Sequence, residues 1–226
     1  MSFQGFGPKA LPFFKALAFH QSKEWFEANH ETYESEVKGP LGDFVEDTAA
    51  RLAKAKIPIK GDYKSSAFRI HRDVRFSQNK DPYKSNVGVA LTRTGSKREN
   101  GVLYFHLSPE ESFFAAGFHM PDPHALARLR AGAVRAPKPF KQMTAKLAHA
   151  GLKLSDEDAL KRPPRGLEEI DDPEIAAAAR LKNFICLRPV SEVQIRKPAL
   201  VDDFCAFAAD SLPLLKWGWD ALSDSR

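Results

Sequence analysis

The stretch Phe68-Arg69-Ile70-His71-Arg72-Asp73-Val74-Arg75-Phe76 alternates between apolar and charged residues. Read as a β-strand, it carries Phe68, Ile70, Arg72, Val74 and Phe76 on one face and Arg69, His71, Asp73 and Arg75 on the other, because successive strand side chains point to opposite sides. Same-face neighbours then lie roughly 6.6–7 Å apart. At that spacing His71 and Asp73 are the candidate catalytic pair for proton handling, with Asp73 orienting the imidazole and relieving repulsion between the arginines. Arg69 and Arg75 keep donors for a planar or tetrahedral oxyanion, whose geometry a guanidinium fork matches. The turn that follows, Ser77-Gln78-Asn79-Lys80-Asp81-Pro82-Tyr83-Lys84, adds Lys80, Tyr83 and Lys84 as phosphate or carboxylate partners. Its Asp-Pro step favours a tight return that brings both lysines near the strand end. Arg72 breaks the apolar face. An unpaired guanidinium is costly to bury, so Arg72 has either a carboxylate partner or a bulge that turns it toward a ligand.

The charge distribution supports an anionic partner. Of a net charge of +5, residues 60–98 contribute +7, from ten Lys/Arg against three Asp, and the rest of the chain −2. A field confined to one segment points to a ligand more than to general solubility. A second basic stretch, Lys161-Arg162-Pro163-Pro164-Arg165-Gly166, is stiffened by two prolines and given a sharp exit by its glycine. We expect Lys161, Arg162 and Arg165 to face the same cleft as Arg69 and Arg75. The alternative is an exposed basic turn, or one in which Arg162 pairs with Glu168.

Other chemistries find less support. There is no GxxxxGKS or GxGxxG phosphate loop, no elbow serine and no activated cysteine. Cys186 and Cys205 stand outside any CxxC pair, which argues against a disulfide scaffold or structural zinc and for a reducing, cytoplasmic setting. Cys186, between Ile185 and Leu187, reads as a buried small hydrophobe. His71 and Asp73 share a face, but His106, His119 and His124 can join them only through the fold, so no metal and no cofactor are assigned. The N-terminus shows no basic segment leading into an apolar run, and no run of about 18 apolar residues occurs, so we expect no signal peptide and no membrane partner.

These residues need a scaffold, and the remaining pattern predicts an α+β fold. Residues 9–56 read as helical: Ser22 caps a helix with Trp25, Asn29, Tyr33 and Val37 in one row, and Gly39-Pro40 ends it and starts the next. Residues 67–118 read as strands separated by short turns, which favours antiparallel neighbours. Helices return over 122–151, opened by Asp122-Pro123, and a short one follows Asp172-Pro173. A late strand covers Phe184–Val190, and a C-terminal helix begins near Ala199. With no repeat or linker, the simplest organisation is a single α+β domain over 1–226, a central antiparallel sheet flanked by N-terminal, middle and C-terminal helices.

The motif FRIHRDVRFSQNKDPYK, together with Phe3-Gln4-Gly5-Phe6, Glu24-Trp25-Phe26 and Leu160-Lys161-Arg162-Pro163-Pro164-Arg165-Gly166, resembles the domain of unknown function family 2461 over nearly the whole chain. At Leu167-Glu168 the chain lacks the aromatic associated with the position after Gly166. The resemblance implies a compact α+β domain of cytosolic bacterial proteins, and supplies neither activity nor substrate. Three functions stay open. One is an enzyme on a small phosphorylated or carboxylated metabolite, with His71 or Asp73 moving protons and Arg69, Arg75 and Lys80 binding the anion. A second is a nucleic-acid-binding module, with Tyr83, Tyr104, Phe105 and Phe118 as stacking surfaces. The third is a structural or interaction protein whose Arg/Asp ladder is a salt-bridge network.

Overall fold

The computed structural model of the chain describes residues 2–75 and 78–223. Its N-terminal helices follow the local signals, with two exceptions: the helix that Ser22 caps is interrupted at Asn29, and the chain runs on through Gly39-Pro40. Helix α1 (Ala10–Phe19) is followed by α2 (Lys23–Ala28), where the Ser22 hydroxyl accepts the Trp25 N–H at 3.2 Å. Then come α3 (His30–Tyr33), a π-helical turn over Glu34–Lys38 and α4 (Gly39–Lys54). The chain does not break at Gly39-Pro40 as the sequence predicts: Gly39 keeps a helical φ of −58°. Pro40 lacks an N–H and its ring crowds the preceding turn; the wider π turn just before it takes up that misfit. A short helix α5 (Tyr63–Ser66) is closed at its start by a capping box between Asp62 and Ser65.

Four strands, β1 (Val87–Thr92), β2 (Val102–Leu107), β3 (Phe113–Phe118) and β4 (Phe184–Pro189), make one antiparallel sheet in that order. In β2 the alternation is complete: Leu103, Phe105 and Leu107 are buried, while Val102, Tyr104 and His106 are half-buried. Between β3 and β4 the chain runs through α6 (Pro123–Arg135), α7 (Pro137–His149) and α8 (Pro173–Arg180). Asp122 and Asp172 cap α6 and α8 ahead of a proline, as the Asp-Pro steps predict. After β4 come α9 (Glu192–Ile195) and α10 (Leu200–Ser223), which holds Pro213 in its interior. This is the expected α+β fold with its antiparallel sheet between helices. No helix among the described residues is long and apolar enough to cross a membrane.

One expected strand is not formed. Residues 68–75 make no regular ladder; only isolated antiparallel bridges, Ala67 with Val89 and His71 with Tyr83, tie the segment to the chain ahead of and within β1. From residue 67 to 71 there are four steps, whereas from 83 to 89 there are six. Two extra residues on one side force a bulge, and a bulge ends regular pairing.

The packing divides into two compact units. The first comprises Met1–Lys97, Tyr104–Phe114 and Pro189–Ala206. Its core is a cluster of phenylalanines in which Phe44 meets Phe3, Phe105 and Phe204 with ring centroids 5.3, 4.9 and 5.2 Å away. The second comprises Arg98–Leu103, Ala115–Arg188 and Phe207–Arg226. There Phe118 lies so close to Gly218 that an added Cβ would fall 2.0 Å from the ring, and Trp217 packs on Phe140 and Phe184. Cys186 is buried there, and burial pushes its thiol up to about 12. Phe44→Ala should cost about 3–5 kcal/mol in urea unfolding, the usual cost of emptying a buried aromatic site. Phe19→Ala, at a ring 87% exposed, should stay within about 0.5 kcal/mol.

Candidate functional site

The segment around the bulge lies in the first unit. Arg69, His71, Asp73 and Arg75 are all exposed, while Ile70 is buried and Arg72 and Val74 are half-buried. The alternation of burial from Arg69 to Arg75 thus survives without a ladder. Phe68 departs from it: it stands on the expected apolar face yet is 40% exposed. Phe76 lies outside the described residues.

Asp73 is fully engaged by its neighbours. Its carboxylate accepts from Arg75 Nε and Nη2 at 3.0 and 2.7 Å and lies 3.9 Å from Arg69 Nη2. Hydrogen bonds from Arg75, followed by the charges of Arg75 and Arg69, hold the carboxyl down to about 2, so it stays ionised at neutral pH. His71 packs its ring 5.2 Å from Tyr83 and 6.1 Å from Phe26. Tyr83 is buried and stacks on Phe26 at 4.4 Å, and its N–H donates to Gln21 Oε1 at 3.1 Å. Lys80 donates to the Val74 carbonyl at 3.0 Å, and Asn79 Oδ1 accepts the Asp81 N–H. The Arg69–Asp73–Arg75 row therefore has the geometry of a surface ion-pair ladder.

A different set of cations gathers around Lys84. Lys84 is half-buried, and its pKa is lowered, first by burial and then by the charges of Arg69, Arg72 and Lys97. Lys84 Nζ lies over the Phe68 ring at 5.7 Å from the centroid, and Lys97 Nζ over the same ring at 5.2 Å. Lys97 also donates to the Ala67 carbonyl at 2.7 Å. Arg72 donates from Nη2 to the Tyr83 carbonyl at 3.4 Å, and its buried Nε has no hydrogen-bond partner among the described residues. Among the described residues no carboxylate reaches ion-pair distance of Arg72, Lys84 or Lys97. Arg72 is held by a carbonyl, not by the acid that a structural role was expected to require.

Beside this cluster, Tyr104 meets Phe68 edge-on at 6.2 Å, and its hydroxyl lies 3.0 Å from His106 Nδ1. Gly88 makes room for it: a Cβ there would fall 2.3 Å from the Tyr104 hydroxyl. Burial pushes the phenol up to about 12 and lowers the imidazole pKa, against an opposing pull from Glu111 and Glu110. Both groups are thus neutral near pH 7, and which of them donates in the hydroxyl–Nδ1 bond follows from the imidazole tautomer. His106 stacks on Phe113 at 4.9 Å. Of the other rings expected to offer stacking surfaces, Tyr83, Phe105 and Phe118 are buried. Among the described residues no group of three or more His, Cys, Asp or Glu forms a metal-holding cluster.

Lys161, Arg162 and Arg165 belong to the second unit, where all three are exposed. Glu168 accepts the Gly166 N–H at 2.6 Å, and Gly166 takes a φ of +82°, a left-handed turn suited to glycine.

A family model described as "Conserved hypothetical protein (DUF2461)" matches residues 9–217. The chain belongs to this family. The match spans the cation cluster, the Tyr104–His106 pair and the 161–166 turn alike. No curated protein and no solved structure matches the chain.

Sequence reasoning counted Lys97 in the basic segment without assigning it a role, and gave Phe68 to the core. Their meeting depends on the bulge, which no local signal marks. The Asp73 geometry has a direct check. Its carboxyl should titrate near 2 by NMR, and in Arg75→Ala the midpoint should rise toward the ordinary 3.8.

Proposed function

We propose that the chain binds a ligand through its phosphate or carboxylate group, at the cation cluster of Arg69, Arg72, Lys84 and Lys97. One observation carries the reading. Lys84 is half-buried among three further cations, and none of Arg72, Lys84 and Lys97 is matched by an acid among the described residues. Carbonyls and the Phe68 ring hold these groups in place without cancelling their charge. A neutral partner leaves the positive potential available to an incoming anion, and a half-buried site screens it less than open water does. Arg69, shared loosely with Asp73, stands at the edge of the same group. Arg75 and Lys80 contribute less, since each already donates to a protein acceptor.

For chemistry on the bound ligand, the neutral Tyr104–His106 pair is a better proton carrier than Asp73. Asp73 stays ionised and hydrogen-bonded throughout the neutral range, whereas an imidazole that titrates below its ordinary value is unprotonated and can accept a proton.

Sulfate, which does not itself titrate near neutrality, tests the binding. At a hundredfold excess over its dissociation constant it should stabilise the fold by about 2.7 kcal/mol. Lys84→Gln and Arg72→Gln should abolish most of that gain, whereas Arg75→Ala and Lys80→Ala should keep it. A gain of equal size in Lys84→Gln would place the anion elsewhere. The pH dependence has a defined sign. Binding needs the Lys84 ammonium, so the sulfate effect should fade as pH rises, and should do so below the ordinary lysine value of 10.5. Without anion the folded ammonium holds its proton less tightly than the unfolded chain does. Stability should then rise as pH climbs through the depressed value toward 10.5.

A further inference from the structure

The cluster surrounds an aromatic ring, and that ring is the unexplained feature. Phe68 keeps 40% of its surface exposed, although the chain buries most of its other phenylalanines. Among the described residues, Tyr104 meets the ring edge-on and two ammoniums lie over it. Building on the anion reading, we infer that the ligand is a nucleotide unit: a phosphate on Lys84, Arg72, Arg69 and Lys97, and a planar base against Phe68 and the Tyr104–His106 pair.

Three observations converge on this chemistry. The first is adjacency: Lys84 and Lys97 lie within 6 Å of the Phe68 centroid, so an anion on the lysines places whatever it carries next to the ring. A sugar phosphate without a base would leave that apolar surface wet, whereas a base covers it. Base–aromatic stacking adds affinity with little dependence on base identity, because every base has a π face. The second is polar complementarity. His106 uses Nδ1 toward Tyr104, and among the described residues its other ring nitrogen has no hydrogen-bond partner, which leaves one hydrogen-bonding position for the edge of a base. The third is placement. Gly88 has no side chain, and the Tyr104 hydroxyl occupies the space that a Cβ there would take, which seats the phenol ring against Phe68.

Calorimetric titration of the full chain at 50 mM salt tests this with four probes: inorganic phosphate, ribose 5-phosphate, adenosine 5′-monophosphate and a six-residue oligodeoxyadenylate. The expected result is that adenosine monophosphate binds about tenfold or more tightly than ribose 5-phosphate, the increment of one stacked base. Phe68→Leu, which stays apolar but loses the ring, should erase that difference, while Lys84→Gln should weaken both probes alike. Circular dichroism checks that each variant is folded. The wild-type comparison does not depend on the variants.

Equal affinity for the two probes in the wild-type chain overturns the nucleotide assignment and leaves the anion site standing. Failure of all four probes to bind overturns both. The last probe separates the two sources of a nucleotide unit. Oligonucleotide binding at least tenfold tighter than the mononucleotide, and lost steeply between about 50 and 200 mM salt, assigns the site to a strand. Oligonucleotide binding no tighter than the mononucleotide assigns it to a free nucleotide.

Discussion

The stack of Tyr83 on Phe26, at 4.4 Å with the planes 12° apart, is the contact on which the cation cluster depends. It joins α2 to the return arm of the bulged segment. Gln21 reinforces it by accepting the Tyr83 N–H. Once residue 83 is fixed, its carbonyl holds Arg72, its pairing with His71 sets the register, and the next residue, Lys84, donates its backbone N–H to Ile70 at 2.8 Å. A segment with no regular ladder would otherwise have few ordered hydrogen bonds. The aromatic anchor supplies apolar burial in their place, and offset or parallel ring pairs add somewhat to the burial itself.

Such an anchor allows like charges to be kept together. Two unit charges about 6 Å apart near a protein surface repel by ~3 kcal/mol. A flexible loop would relieve that repulsion by swinging its lysines into solvent. Here Lys84 is held by its backbone bond to Ile70, and Lys97 by the Ala67 carbonyl. The Phe68 ring attracts both ammoniums through its negative face without providing a full counter-charge. The exposed row beside them behaves differently. Asp73 neutralises Arg75 and part of Arg69, and solvent screens the remainder. Two sets of cations drawn from one short sequence therefore have opposite electrostatic states, set by whether the local partner is a carboxylate or a neutral group.

Much of the scaffold was legible because its signals are local. Ser22, Asp122 and Asp172 cap helices from within a few residues, and the alternation of Leu103, Phe105 and Leu107 against Tyr104 and His106 reads directly as a half-buried strand. The outward set Arg69, His71, Asp73 and Arg75 was also legible, because burial alternates along this segment even though it forms no regular ladder. What the pattern cannot carry is register. The slip between residues 67–71 and 83–89 follows from where Tyr83 and Val89 find their own partners, which involves residues far apart in sequence. With the slip come the exposure of Phe68 and its meeting with Lys97. The π turn before Pro40 is hidden for a related reason: proline and glycine mark a disturbance, but whether the chain breaks or widens depends on packing around the neighbouring turns.

The same logic distinguishes the roles of charge and aromaticity here. Asp73 and His71 drew attention as a catalytic pair because they are titratable and would share one face of a strand. Proton transfer, however, needs a group whose charge state can change near the working pH. A carboxyl held near 2 by two guanidiniums lacks that property. A histidine kept neutral by burial, with one nitrogen on a tyrosine hydroxyl, has it. A reactive group is better sought where burial and neutral partners leave it unsatisfied than where opposite charges have already matched it. By that criterion the proposed site belongs with Phe68, Lys84, Lys97, Tyr104 and His106, and not with the ion-pair ladder that the sequence presents first.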